Sequence, residues 1–179
     1  YLGIFVKRKG LADIIEATRQ AGVELIVAGQ GDIADVEGLD LRAPHVEFVG
    51  YAGPDEVRDL MAEAKALLVY THYIGPFEGV SIEAAFSGTP VITSDWGCFT
   101  ETVLQGVTGF RCSVLAELVW AIKNIDKINP QDCYDWAMEN FTCERTALMY
   151  EKYFARLQDI YAIPDDLDWR RRWYPGGAV

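Results

Sequence analysis

Short apolar runs along the chain alternate with stretches in which apolar residues recur every three to four positions. Residues 1–6 (YLGIFV) form an apolar run that reads as a strand. Gly10 then opens a helix with Leu11, Ile14, Ile15 and Thr18 on one face, and Gly22 closes it. Residues 23–28 (VELIVA) make a strand of the buried type, followed by the Gly29-Gln30-Gly31 turn and an acidic, irregular stretch over 32–44. Residues 45–49 (HVEFV) alternate as a strand. Pro54, with Asp55 and Glu56 behind it, starts a helix whose apolar stripe is Val57, Leu60, Met61 and Ala64. Residues 66–70 (ALLVY) are another buried strand; a loop holding Gly75 and Pro76 then leads to a helix over 80–86, stopped by Gly88-Thr89-Pro90. Strands are expected at 91–93 and 109–112, and a helix on Leu115, Leu118, Val119, Ile122 and Ile125. A long last helix is read from Ala147, Tyr150, Phe154, Leu157 and Tyr161, with Pro164 ending it. The tail over 165–179 (DDLDWRRRWYPGGAV) has no periodicity, and is expected to be exposed or to dock on something outside this chain.

Repeated βα units with buried strands predict an α/β fold: a Rossmann-like, three-layer α/β/α domain with a parallel sheet of about six strands. In such sheets ligands bind beyond the carboxyl ends of the strands. That places the candidate site in four loops, over residues 6–10, 29–32, 50–54 and 71–79.

Composition narrows the function. At 179 residues the chain has the length of one such domain, with a tail. Half of it is hydrophobic, enough for a core and too apolar for a disordered chain. No apolar run approaches the roughly 18 residues of a transmembrane helix. Sixteen Lys and Arg against 27 Asp and Glu give a net charge of −11, which argues against a nucleic-acid partner but leaves room for a local basic patch. Cys98, Cys112, Cys133 and Cys143 are unevenly spaced, and His45 and His72 have no partner at a zinc-like spacing, so free thiols in a reducing cytoplasm are expected rather than a metal site. The chain opens at Tyr1 inside an apolar run, which reads as a cut made just before a strand.

Three loops carry chemistry. Lys7, Arg8 and Lys9 follow the first expected strand and precede a helix, whose amide end and adjacent cations can together hold a phosphate. In 75–83 (GPFEGVSIE), Gly79 permits close backbone approach, and Glu83 lies in the first turns of a helix, where a carboxylate can accept hydrogen bonds from ribose hydroxyls. The run SGTPVIT followed by Asp95-Trp96-Gly97 packs helix, turn, strand and loop into about ten residues. Taken singly, each also has a plain structural reading: a solvated basic turn, a helix-capping carboxylate, a punctuation mark.

Their order is more specific than any one of them. With YLGIFVKRKGL, IVAGQGD, HVEFVGYAG and PFEGVSIEAAFSGTPVITSDWGCFTETVLQGVTGFRC, the chain resembles the C-terminal, nucleotide-sugar-binding domain of the family 4 glycosyltransferases of the GT-B fold, from residue 1 to about 161. The resemblance implies a donor domain over 1–162 and a tail over 163–179, in a metal-independent transferase that retains anomeric configuration and uses a nucleotide-sugar as substrate with no cofactor. It implies that Lys9 contacts the donor pyrophosphate and that Glu83 holds the ribose. It puts the backbone of Phe77, Glu78, Gly79 and Val80 against the sugar and distal phosphate, Gly3, the first-strand glycine, among the donor-binding residues, and Tyr51 near the base.

Three departures bear on activity. The family's arginine after the first-strand glycine is Ile4 here, and the first glutamate of its paired motif is Gly75. Glu78 replaces a family glycine, which brings a carboxylate toward the distal phosphate. Alternatively, Glu78 substitutes for the glutamate missing at Gly75, and it is the one candidate for a catalytic carboxylate. The acceptor domain of a GT-B enzyme is absent from these residues, so the isolated chain is expected to be inactive in transfer and to need that domain or a partner chain. The expected location is cytoplasmic, with attachment to a membrane only through the missing domain. Two further readings stay open: a non-catalytic nucleotide-sugar-binding or interaction module derived from a transferase, and a sugar-nucleotide epimerase of similar shape.

Overall fold

The computed structural model describes residues 1–31, 39 and 42–161, and the described residues divide into two compact units between residues 139 and 140. Most of the expected acidic stretch over 32–44, together with Pro164 and the tail, lies outside the described residues.

The first unit is built on parallel strands. β1 (Leu25–Ala28) pairs with β2 (Val46–Gly50), and β3 (Leu67–Val69), β4 (Val91–Ser94) and β5 (Gly109–Cys112) pair in that order. The expected strand over 1–6 is less regular. Tyr1, Gly3 and Phe5 donate backbone bonds to Ile26, Ala28 and Gln30, yet only Leu2 and Ala28 form a bridge. The reason lies at its far end, where Val6 N turns back to Ile4 O at 3.1 Å and the chain tightens into a 3-10 turn, Lys7–Lys9. The described residues thus hold five regular strands and this extended segment beside β1.

Helices cover both faces. In α1 (Leu11–Ala21) the predicted stripe of Leu11, Ile14, Ile15 and Thr18 is buried, and Gly22, at φ +74°, caps the end onto Thr18 O and Arg19 O. α5 (Leu115–Asn124) joins α1 on the same face, where Ile14, Leu68, Ile92, Leu118 and Ile122 form one core cluster. α2 (Pro54–Glu63), α3 (Gly79–Phe86) and the short α4 (Phe99–Thr102) close the other face around Met61, Leu67, Val69, Ala84, Val91 and Phe99. Adjacent strand residues therefore feed opposite cores: Leu67 and Leu68 separate, as do Val91 and Ile92. This alternation makes the expected three layers.

Two elements were not anticipated. α4 has only four residues, and α6 (Pro130–Asn140) buries only Cys133 and Ala137, too little for a visible stripe. In the second unit, Thr142 caps α7 (Cys143–Ile160) by accepting from Arg145 N at 3.2 Å. α7 buries none of its residues; Tyr150, Tyr153, Phe154 and Ile160 are all exposed.

Candidate functional site

The basic turn is held close to β3. Gly10 has φ +67°, and a Cβ there would lie 1.8 Å from Tyr70 O, so only glycine fits. His72 N donates to Arg8 O at 2.7 Å, and His72 Nε2 lies 2.5 Å from Asp13 Oδ2. These contacts fix Lys9 against the loop that follows β3.

There Lys9 Nζ donates to Glu78 Oε2 at 2.6 Å, and the Tyr73 hydroxyl donates to Glu78 Oε1. The Lys9 ammonium and the Arg8 guanidinium each stand 5.4 Å from the centroid of the Tyr73 ring. Glu78 is 7% exposed. Burial works against the Lys9 ammonium, but its hydrogen bond to the Glu78 carboxylate and the negative charge of that group outweigh it, so its pKa lies above the ordinary value. Glu78 O accepts from Ser81 N and Ser81 Oγ, which anchors the start of α3.

A cleft of about 340 Å³ opens beside this cluster, at the carboxyl end of β1 and the extended N-terminal segment. Six of the residues expected at a site line it: Gly3, Lys9, Tyr51, Glu78, Val80 and Glu83. Phe77, on the loop before α3, and Gly79, the first residue of α3, do not line it, and Phe77 is largely exposed. The Glu83 carboxylate reaches back toward the head of α3, since a Cβ on Gly79 would lie 3.8 Å from Glu83 Oε1. Ile4 and Gln30 also line the cleft, and Ile4 is half-exposed. Tyr73 went unnoticed in the sequence; its signal there was slight, an aromatic five residues before Glu78.

A larger cleft, about 610 Å³, lies at the other end of the strands, where Leu25 and Leu67 begin. Its lining is chiefly apolar and its ion pair, Lys65 with Asp126 at 3.7 Å, is exposed, so it lacks the convergent polar groups of the smaller cleft. Among the described residues no cluster of three or more His, Cys, Asp or Glu is placed to hold a metal, and no helix is long and apolar enough to cross a membrane.

One cation, two carboxylates and a helix N-terminus around an open cleft can hold a phosphorylated, hydroxylated ligand. The sequence family described as group 1 glycosyl transferases matches residues 1–126. The chain belongs to that family. Like other group 1 glycosyl transferases of GT-B fold, it has parallel strands covered by helices on both faces. It is 33% identical over 137 residues to a glycogen synthase of Mycobacterium tuberculosis, covering 70% of this chain and 33% of that protein. Sucrose-phosphate synthase from Thermosynechococcus elongatus superposes with a TM-score of 0.74 at 25% identity, over 89% of this chain and 45% of that one. Anabaena Alr3699/HepE, in complex with UDP and glucose, gives a TM-score of 0.66 at 20% identity, over 86% of this chain and 48% of that one. This group 1 chain thus spans about a third of the length of that curated relative, and less than half of these two solved structures.

Proposed function

We propose that this chain is the donor-binding half of a retaining glycosyltransferase of family 4, the C-terminal domain of a GT-B enzyme, with residues 1–162 as the donor domain and 163–179 as a tail. The observation that carries the reading is the convergence of Lys9, Glu78, Val80 and Glu83 on one cleft at the carboxyl ends of the strands. Lys9 meets the diphosphate, Glu83 the ribose hydroxyls, and Tyr51, exposed just after β2, the base. As the bond to the sugar breaks, charge builds on the leaving diphosphate, and the Lys9 ammonium with the positive end of α3 stabilises it in place. Binding of UDP by Alr3699/HepE makes UDP the first donor nucleotide to test.

The acceptor would bind a second domain, and the exposed aromatic face of α7 suits packing against one. Holding two reactants in register is worth several kcal/mol of a barrier, so the 179-residue chain alone is expected to transfer no sugar. The engagement of Lys9 by Glu78 favours one other reading, a nucleotide-sugar binder without catalysis. Titration of UDP and its 2′,3′-dideoxy analogue into wild type, Lys9→Ala and Glu83→Ala tests the site. Lys9→Ala should weaken both ligands, and Glu83→Ala should weaken UDP alone. Equal affinity in all three proteins removes the cleft from donor binding. Glycosylated product from this chain with simple acceptors would overturn the need for a second domain.

A further inference from the structure

Gly75 and Glu78 occupy the same space. Gly75 is buried with a backbone φ outside the left-handed region, so nothing in its own conformation demands glycine. A Cβ built on it would lie 2.8 Å from Glu78 Oε1, 3.4 Å from Cγ and 3.5 Å from Cδ. A carboxylate at the free end of a flexible side chain normally yields to such a contact. This one is clamped: Lys9 Nζ holds one oxygen at 2.6 Å, the Tyr73 hydroxyl holds the other, and the side chain is almost fully buried. The loop offers no slack either, since Gly75 O accepts from Cys98 N at 3.1 Å and packs so tightly on Gly97 that a Cβ there would approach it to 2.8 Å.

We infer that Gly75 and Glu78 are a compensating pair, in which the Glu78 carboxylate fills the volume of a side chain at 75 and serves there as the acceptor for hydroxyls of the donor's sugar. The assignment to a sugar rests on the donor-site reading above and on charge. A carboxylate bonded to the phosphate-binding lysine would repel a phosphate placed directly on it, so the ligand portion it meets is neutral and rich in hydroxyl groups. Glu83, on the ribose side of Lys9, is already assigned, which leaves Glu78 the group beyond the distal phosphate. Tyr73 is then a positioning residue: it holds Glu78 and carries Lys9 above its ring.

Two measurements test this. The first needs no ligand. Gly75→Ala should lower the melting temperature by several degrees in the wild-type background and by less than about one degree in the Glu78→Gly background, because the colliding carboxylate is gone. An equal loss in both backgrounds overturns the pairing. The second compares UDP-glucose with UDP by calorimetry. Glu78→Gln should reduce the preference for UDP-glucose over UDP by about tenfold, the worth of one hydrogen bond to a charged group. The exchange variant Gly75→Glu with Glu78→Gly should restore that preference, and Tyr73→Phe should reduce it in part. An unchanged preference in Glu78→Gln overturns the sugar assignment. If wild type binds neither ligand, the donor-site reading falls and takes the sugar assignment with it, while the melting cycle still upholds or overturns the shared volume.

Discussion

Gly10 and Gly22 bracket α1 and share a left-handed backbone, with φ of +67° and +74°, but their surroundings are opposite. A Cβ on Gly22 meets nothing within 4 Å, whereas a Cβ on Gly10 would lie 1.8 Å from Tyr70 O and 3.4 Å from His72 Nε2. Gly22→Ala should therefore cost only the left-handed penalty of about 1 kcal/mol. Gly10→Ala carries the same penalty and must also push the basic turn more than about 1 Å away from β3, an overpacking of backbone against backbone that adds about 2–3 kcal/mol. The expected losses are about 1 and about 3–4 kcal/mol, the second a large fraction of the stability of an ordinary domain. Urea unfolding of both variants, followed by circular dichroism, measures them side by side. Gly10→Ala should also weaken UDP, because displacing the turn breaks the His72 N to Arg8 O bond and carries Lys9 away from the cleft. Losses within about 0.5 kcal/mol of each other would show that the close approach of the turn to β3 does not hold it, and would refute the account of how Lys9 is placed.

Ile4→Arg should tighten UDP binding about tenfold in calorimetry, since the half-exposed Ile4 lines the cleft and one charged hydrogen bond is worth about 1.5–3 kcal/mol before solvent screening; unchanged affinity would mean that position 4 does not face the diphosphate. Adding Gly75→Glu to it should bring no further gain while Glu78 remains, because the two side chains collide. Native protein should show one fast thiol with an aromatic disulfide reagent and four after denaturation: Cys143 is exposed, while Cys98, Cys112 and Cys133 are buried, and burial pushes the Cys112 thiol up to about 12 and the Cys133 thiol up to about 11. In a chain with a free amine at Tyr1, burial lowers that amine from 8.0 to about 5. Unfolding then lets the amine take up a proton between those values, so stability should rise with pH from 5 to 8, by at most about 4 kcal/mol, and acetylation of the amine should flatten the curve.

The alternation of strands and helices was legible because its signals are local. The α1 stripe, the glycine stop at 22, the proline start at 54 and the buried runs of β1, β3 and β4 each depend on neighbours a few residues away. What escaped was set by partners distant in the chain. The segment over 1–6 is as apolar as a strand, but the backbone turns at Val6 and the basic turn is drawn to Arg8–His72, so regular pairing ends early. α6 buries two small residues, and a helix that contributes so little to the core leaves almost no apolar period to read.

The candidate site divides along the same line. Lys9 and Glu83 stand at a strand end and in the first turns of a helix, positions that a linear reading can assign, and both line the cleft. The relation of Gly75 to Glu78 is different in kind. In the sequence they are a lost carboxylate and an added one three residues later, which can be read either as two departures or as a substitution of one for the other. In space the added carboxylate stands where the lost side chain would have to go, held by a lysine 69 residues away and by a tyrosine that carries no motif. A count of departures treats them as two defects and predicts a weakened site. On the compensating-pair inference they are one substitution, and the proposed donor site keeps its carboxylate beside Lys9, provided glycine remains at 75. One variant separates two defects from one substitution. Returning glutamate to 75 alone repairs a defect on the first view. On the second it crowds two carboxylates into one buried volume beside a single lysine, and should weaken both the fold and the binding of UDP-glucose.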